Sequence, residues 1–559
     1  MEYDKKETEA FSRNIRKEVK QFVESTSLKG APRIVKSHNR CVRVFWFLVV
    51  ALMLSATIYF TTQLIMEYLE YRTTMSISEY TVENDADRNK LEERYDFSFP
   101  SVTICNEQPF KSDYDVSLPD GILDQLNFEG TLTQHLRSVN VSNAVRQELH
   151  EYAYLTYLAS YPGLVDLEQL GQTYDDFVIA CSYITANQNE NSPLECRSVG
   201  DVYYVIAPHS LSCQTIGITE NDAVDVNDII GLTAVLYLDS FSTQLSQESF
   251  DVMSKFGRSS GIDVATHRRG TRRQTFDART SVAPGQNVKL EVKTSGRHAL
   301  PKPYSDCVET GRQLYNLFGI KNPYSQQGCM MACKQQRIIN SCHCIYPPFY
   351  LFFTSIPYWE YGLPLCTWFN LNNVGTVVQM TQCALDVAAN SRQHCYERCK
   401  PKCARLEYTH KHSATHWPAK NTQLAFYNSV IRVNDNTTDN TTSRWKRWQN
   451  FAPVYEPIRD AYLAGNETQA LDMLKASSLI EDNFIKVEIL FSTKPVMAFE
   501  SKEALNGVSF MSLLGGTLNL YAGITFVLLF ELTELMVKLC QNGYKRYKQQ
   551  QSAVSPSAK

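Results

Sequence analysis

The sequence predicts an α+β membrane protein, two transmembrane helices joined by a large disulfide-rich extracellular domain. Three observations carry this. Two stretches of 23 residues lack any charge, fourteen of the sixteen cysteines lie between them, and the charge is unevenly distributed. The chain of 559 residues is 43% hydrophobic and 20% charged, which permits a sizeable core and excludes a disordered chain. A net charge of -4 without a dominant basic face argues against a nucleic-acid partner.

The first apolar stretch is Val44 to Met66, opening VFWFLVVALML; the second is Val508 to Phe530. At about 1.5 Å per residue each crosses a hydrocarbon core of about 30 Å. A signal peptide is a poor reading of the first, because 43 residues precede it and no small-residue cleavage site follows. Residues 1–43 carry +5 and residues 539–559 carry +4, leaving -13 between. Basic ends on both sides of an acidic middle put both termini in the cytoplasm. The expected division is a cytoplasmic N-terminus at 1–43, a first span at 44–67 and an extracellular domain at 68–507. A second span with the pore follows at 508–538, then a cytoplasmic tail at 539–559.

The fourteen cysteines from Cys105 to Cys403 are an even number, as an oxidised framework requires, while Cys41 and Cys540 sit at the inner ends of the spans. Four glycosylation sequons, at Asn140, Asn436, Asn440 and Asn466, fall in the same segment. Cys329 and Cys333 are four apart, as are Cys395, Cys399 and Cys403. On helices that spacing aligns one face. Two antiparallel helices would then pair Cys329–Cys399 and Cys333–Cys395, extending outward to Cys307–Cys403 and inward to Cys342–Cys383 and Cys344–Cys366. A metal centre is the weaker reading of these thiols in an oxidising compartment.

Residues 128–182 contain helical-looking runs, such as NAVRQELHEYAYLTYLASY, whereas VYYVIA, TAVLYL and NFIKVEILF read as strands. The stretch 257–274 reads as a basic, Gly-rich loop, and 549–559 as a solvated tail. Gly257 to Gly261 matches G-x-S-x-G, but without the strand and helix that a nucleophile elbow needs. His410, His412 and His416 lack carboxylate or thiolate partners nearby in sequence. With no phosphate-binding loop either, neither an enzyme nor a cofactor is expected.

The second span is no plain anchor. Ser512, Gly516, Asn519 and Gly523 fall at i, i+4, i+7 and i+11, a small and polar stripe down one helix face. Helix dimerisation through small residues is one explanation. The polar Asn519 at mid-span, followed by Glu531 and Glu534, favours a water-filled path that attracts cations. One such helix per chain requires several subunits around an axis.

These residues, taken together, resemble the degenerin/epithelial sodium channel family, which includes the acid-sensing channels. Phe99-Pro100-Ser101-Val102-Thr103-Ile104-Cys105-Asn106 is similar to the family's FPAVTICN signature. The fourteen cysteines match its seven-disulfide framework in number and order, and Ser413 to Pro418 is similar to its S-x-x-x-W-P. Gly515-Gly516 matches the paired glycines, Ser512 the degenerin position, and Gly523-Ile524-Thr525 the selectivity motif. The resemblance implies a homotrimeric or heterotrimeric, amiloride-sensitive channel with Na+ as the permeant ion. Its ectodomain would be a palm, finger (about 115–200), thumb (about 305–405), knuckle and β-ball. It also implies the bridges Cys105–Cys213 and Cys181–Cys196, and an aromatic contact of Tyr71 with Tyr304 that couples the ectodomain to the pore.

Two departures stand out. The family's cytoplasmic His-Gly reads Lys29-Gly30, and Arg72-Thr73 replaces the histidine pair of acid-sensing members, which argues against proton gating. The LPKPYSDC segment is most similar to the invertebrate peptide-gated branch, whose best-known members are the FMRFamide-gated sodium channels. That implies an extracellular amidated neuropeptide as ligand, with Tyr154, Asp175 and Asp176 among the aromatic and acidic residues expected to receive it. Another trigger, whether a different peptide, protons or force, or a non-conducting two-pass receptor, are the alternatives.

Overall fold

The computed structural model describes the chain except for residues 1, 82–83, 96, 108–135, 137–140, 150–171, 186–193, 208–209, 219–228, 241–259, 270, 272–277, 310–313, 318–319, 348–361, 368–373, 434–442, 492–494 and 554–559. The chain divides into two units, a smaller one of residues 1–76, 302–304 and 501–559, and a larger one of residues 77–301 and 305–500.

The smaller unit is helical. Helix α1 spans Glu2–Ser25, α2 Ala31–Lys36 and α3 Arg40–Leu69; near the C-terminus α13 spans Gly507–Ala522 and α14 Phe526–Ala553. Helix α3 is long and apolar enough to cross a membrane, and only 6% of its most apolar window is buried within the chain. Asn39 starts it by accepting the Cys41 N–H at 3.0 Å, a side-chain cap on an otherwise unsatisfied donor. Helices α13 and α14 pass the same test only as a pair, bent by 66° at their junction. The tail expected from residue 549 is helical to Ala553, because nothing in QQQSA breaks a helix.

The larger unit is built on two sheets, with short helices α4, Asp85–Tyr95, α5, Tyr174–Phe177, and α6, Cys196–Val199, among their strands. β1 is Thr73–Tyr80, β2 Ser101–Asn106, β3 Val178–Thr185, β4 Leu194–Glu195, β5 Gly200–Ala207, β6 Ser210–Ile218, β7 Ile229–Tyr237, β8 Ile262–His267 and β9 Ala278–Val282. β10 is Gln286–His298, β13 Ala404–His416, β14 Phe484–Phe491 and β15 Val496–Glu503. One sheet runs β1-β15-β10-β14-β7-β3-β4 with β13 on the other edge of β10; the second runs β5-β6-β2-β8-β9. A separate short hairpin joins β11, Leu314–Leu317, to β12, Ile320–Pro323. Both β14 and β15 run parallel to β10 along one edge of it. One apolar core joins the sheets. It contains Val102, Ile104, Ile216 and Val264 from the second sheet and Leu232, Ala234, Leu290, Val487 and Ile489 from the first. Burying each of the Val, Leu and Ile side chains stabilises the fold by about 1.5–3 kcal/mol.

Two expectations change here. Residues 262–267, read as part of a basic loop, form β8, because Ile262, Val264 and Ala265 are fully buried and no arginine lies between Arg258 and Arg268. Residues 178–182, at the end of the stretch that contains the helical-looking runs, belong to β3, where Val178, Cys181 and Tyr183 join the core. Within that run, 143–149 are helical, with Val145 and Leu149 packed on Val377.

The cysteine-rich segment contains α7, Gln326–Cys342, α8, Val374–Asn390, and α9, Arg392–Arg398. Seven disulfides close: Cys105–Cys213, Cys181–Cys196, Cys307–Cys403, Cys329–Cys399, Cys333–Cys395, Cys342–Cys383 and Cys344–Cys366. The pairs match those that the spacing and the resemblance led to, but the helix behind them does not. Cys395 alone of its trio lies inside a helix. Cys399 is the cap of α9 and Cys403 lies beyond it, beside β13. A turn at the fully buried Ser391 divides α8 from α9, so α7 is stapled to two helices in succession.

Behind β14 lie α10, Ser443–Leu463, α11, Glu467–Ala476, and α12, Leu479–Asn483, around an aromatic core of Tyr427, Phe451, Tyr455 and Phe484. Of the three histidines on β13, His410 is structural. Its ring sits between the Thr266 and Thr280 hydroxyls at 2.8 and 2.9 Å, and burial lowers its pKa.

Candidate functional site

The site of interest is the junction of α13 and α14. Helix α13 packs on α3 through stacked aromatic pairs, Phe510 on Tyr68 at 4.4 Å and Tyr521 on Phe60 at 5.1 Å between centroids. Residues 510 and 521 are eleven apart, three turns, and so share one face. Ser512, Gly515, Gly516 and Asn519 lie away from that contact and are exposed. A Cβ added at Gly515 or Gly516 would meet nothing within 4 Å. Within the chain, the small and polar stripe is therefore a bare face.

The stripe ends sooner than its spacing suggests. Gly523 is not the next helical position but the residue that stops the helix, at φ 71° in the left-handed region that glycine tolerates. Its N–H still donates to Asn519 O at 3.1 Å, and Ile524 N–H reaches back to Leu518 O at 3.2 Å. Leu528 N–H then donates to Thr525 O at 3.0 Å, opening α14. Gly523-Ile524-Thr525 is thus the non-helical link at the bend.

A second segment meets this link from the N-terminal side of the chain. Lys29 N–H donates to Ala522 O at 3.1 Å, and its Nζ donates to Asn519 O at 2.9 Å and Leu520 O at 3.3 Å. Asn519 O already accepts the Gly523 N–H, but the end of a helix carries the negative end of its dipole and its last carbonyls lack helical donors, so an ammonium is well placed there. Gly30 makes the turn possible at φ 86°, where an added Cβ would lie 2.6 Å from Val50 Cγ2. Glu531 holds the same segment, accepting from the Thr26 hydroxyl at 2.8 Å and from Ser27 N–H at 3.0 Å. Glu534 pairs with Lys538 at 2.7 Å on the exposed side of α14. Both carboxylates thus have partners within the chain, which the expectation of a carboxylate-lined path did not foresee. The roles of Lys29 and Glu531 had no periodicity to reveal them, since each depends on a contact about 500 residues away.

Tyr71 and Tyr304 meet edge to face at 5.5 Å within the smaller unit, with Tyr71 at φ 48°. Lost hydration, then a hydrogen bond to Glu503, raises the pKa of the Tyr304 hydroxyl. Of the residues expected to receive a ligand, Tyr154 lies outside those described. Asp175 is exposed and pairs with Arg197 at 2.7 Å, whose guanidinium lies over the Tyr174 ring at 4.3 Å. Asp176 closes a capping box with Thr173 and also accepts from the Ser443 hydroxyl. Asn466 is exposed, whereas Asn140, Asn436 and Asn440 lie outside the described residues. Both free cysteines, Cys41 and Cys540, are exposed.

The chain is 21% identical over 551 residues to the FMRFamide-activated amiloride-sensitive sodium channel of Cornu aspersum, covering 91% of this chain and 81% of the relative. It is also 21% identical over 511 residues to the human epithelial sodium channel subunit alpha, covering 77% and 70%. The family model described as amiloride-sensitive sodium channel matches residues 22–535, which include both apolar segments, every disulfide, Lys29 and the Gly523 link. The chain belongs to the amiloride-sensitive sodium channel family.

Proposed function

We propose that the chain is a subunit of a plasma-membrane, sodium-selective, amiloride-sensitive channel, built as a trimer and opened by a short amidated neuropeptide at its extracellular domain. Helix α3 and the bent α13–α14 pair are its two spans, and both termini are cytoplasmic. The observation that carries this reading is the interrupted helix: α13 stops at Gly523 with its small and polar face bare. Three such faces around an axis enclose a path, and three copies of Gly523-Ile524-Thr525 narrow it. There backbone carbonyls and the Thr525 hydroxyl replace part of the hydration shell of Na+.

The peptide trigger rests on the FMRFamide-activated relative and on chemistry. An FMRFamide-like peptide offers aromatic rings, a guanidinium and an uncharged amide end, which aromatic walls and a carboxylate suit. Asp175, exposed beside Tyr174, supplies such a carboxylate in the finger, whereas Asp176 is spent on its own cap. The test is expression of the chain alone in a voltage-clamped cell, with amidated peptides, acid and stretch applied in turn. A peptide-evoked, amiloride-blocked inward current is expected. Asp175→Lys should raise the peptide concentration for half-maximal opening several-fold without moving the reversal potential. Responses unaltered in Asp175→Lys would put the peptide elsewhere, and a channel opened by acid or stretch alone would remove the peptide from the proposal.

A further inference from the structure

We infer that the Asp176 carboxylate changes partners as the channel gates, held by Ser443 in this structure and taken by Arg447 in the alternate state. Asp176 lies on α5 and both partners lie on α10, so Arg447 is a positioning residue that couples the two helices. This rests on the peptide-gated reading above and adds to it a moving element beside Asp175.

Arg447 is 9% exposed, and neither its Nε nor its Nη1 has a hydrogen-bond partner. A buried guanidinium with N–H groups unbonded is costly, because the water it gave up is not replaced. The Tyr237 ring, with its centroid 5.7 Å from the guanidinium carbon, offsets only part of that cost. Lost hydration lowers the pKa of Arg447, while Tyr237, Asp176 and Asp239 act in the raising direction. Two carboxylates are thus within electrostatic reach, yet neither Nε nor Nη1 is bonded to one.

Both carboxylates are engaged elsewhere. Asp239 accepts from the Tyr237 hydroxyl at 3.0 Å, two residues away on its own segment. One oxygen of Asp176 serves the cap of α5, at 2.8 Å from the Thr173 hydroxyl, and the other accepts from the Ser443 hydroxyl. The Asp239 bond joins residues of one segment, whereas the bond to Ser443 joins two elements that can slide. Ser443 and Arg447 are four residues apart and lie one above the other on the same face of α10. Helical side chains lean toward the N-terminus, so Arg447 leans toward the turn that carries Ser443. A displacement of one turn at most, about 5.4 Å, brings Asp176 from the hydroxyl to the guanidinium. The exchange trades one hydroxyl bond for a charged, hydrogen-bonded pair, and the shift of packed helices is its cost.

The two helices lead to the same sheet. Helix α5 runs directly into β3, and α10 packs through Phe451 on Phe484, the first residue of β14, at 5.6 Å between centroids. A change of register between α5 and α10 therefore passes from the Asp175 corner into two strands of the first sheet.

The experiment is the concentration dependence of opening by an amidated FMRFamide-type peptide in wild type, Ser443→Ala and Arg447→Gln, each with and without Asp176→Asn. Ser443→Ala removes one partner and Arg447→Gln the other, so they should shift the half-maximal concentration in opposite directions. Each shift should be about tenfold, the lower end for a hydrogen bond to a charged group. In the Asp176→Asn background both should shrink to about twofold or less, because the carboxylate they compete for is gone. Shifts of the same sign, as two purely structural contacts would give, would overturn the inference. So would shifts that persist undiminished in Asp176→Asn. Where Arg447→Gln fails to reach the surface, Arg447→Lys replaces it, and a smaller shift opposite to that of Ser443→Ala is expected. Wild type silent to peptide but opened by acid or stretch would overturn the peptide reading instead. The same variants should then move the threshold of that trigger in opposite directions, and equal signs there would again overturn the exchange.

Discussion

Replacing Gly523 with valine should abolish sodium current in protein that still reaches the cell surface. Two independent costs meet at this residue. Its φ of 71° is left-handed, where a β-branched residue is strained by about 1–2 kcal/mol. Its Cβ would also stand 2.8 Å from Lys29 Cγ, 3.1 Å from Ser27 O and 3.2 Å from Lys29 N. The first neighbour is a flexible stem, but the others are backbone and can yield only if the 26–30 segment moves. Relieving the strain therefore means losing either the break or the cap beneath it, and both shape the proposed filter. Current density normalised to surface protein measures the effect. A Gly523→Val channel with normal current and unchanged sodium preference would move the filter elsewhere.

Ser512→Trp should produce a standing, amiloride-sensitive current without peptide. Ser512 lies one turn before Gly516 on the bare face of α13, opposite the aromatic contact with α3. Helices that close a path do so by bringing small faces together, and an indole there holds them apart. Helix α3 gives it no compensating contact. The readout is current at rest relative to the peptide-evoked maximum. This fraction should rise from near zero to a large share. If the variant reaches the surface and rests closed, the bare face is not the gate.

Much of the fold could be read from residues alone, and the failures have physical causes. Two uncharged stretches and the cysteine spacing are local patterns, and the staples of α7 follow from them. The division of α8 from α9 does not, because Ser391 is an ordinary helix residue by propensity and its burial is tertiary. β8 was hidden by the basic residues around it, although five of its six residues are buried. At the site, the stripe Ser512, Gly516, Asn519 was legible as a period, and the same period wrongly carried Gly523 into the helix. A glycine that stops a helix and one that lines its face look alike in sequence. What separates them here is a left-handed φ and a lysine brought from the other end of the chain.

The most direct test of the central claim is the reversal potential of the wild-type current when external Na+ is replaced by K+ and then by a large organic cation. The account predicts an inward current carried by Na+ and blocked by amiloride, with its reversal shifting strongly negative on each replacement. A current indifferent to the replacement, or none from protein shown to be at the surface, would contradict a sodium-selective path through Gly523-Ile524-Thr525.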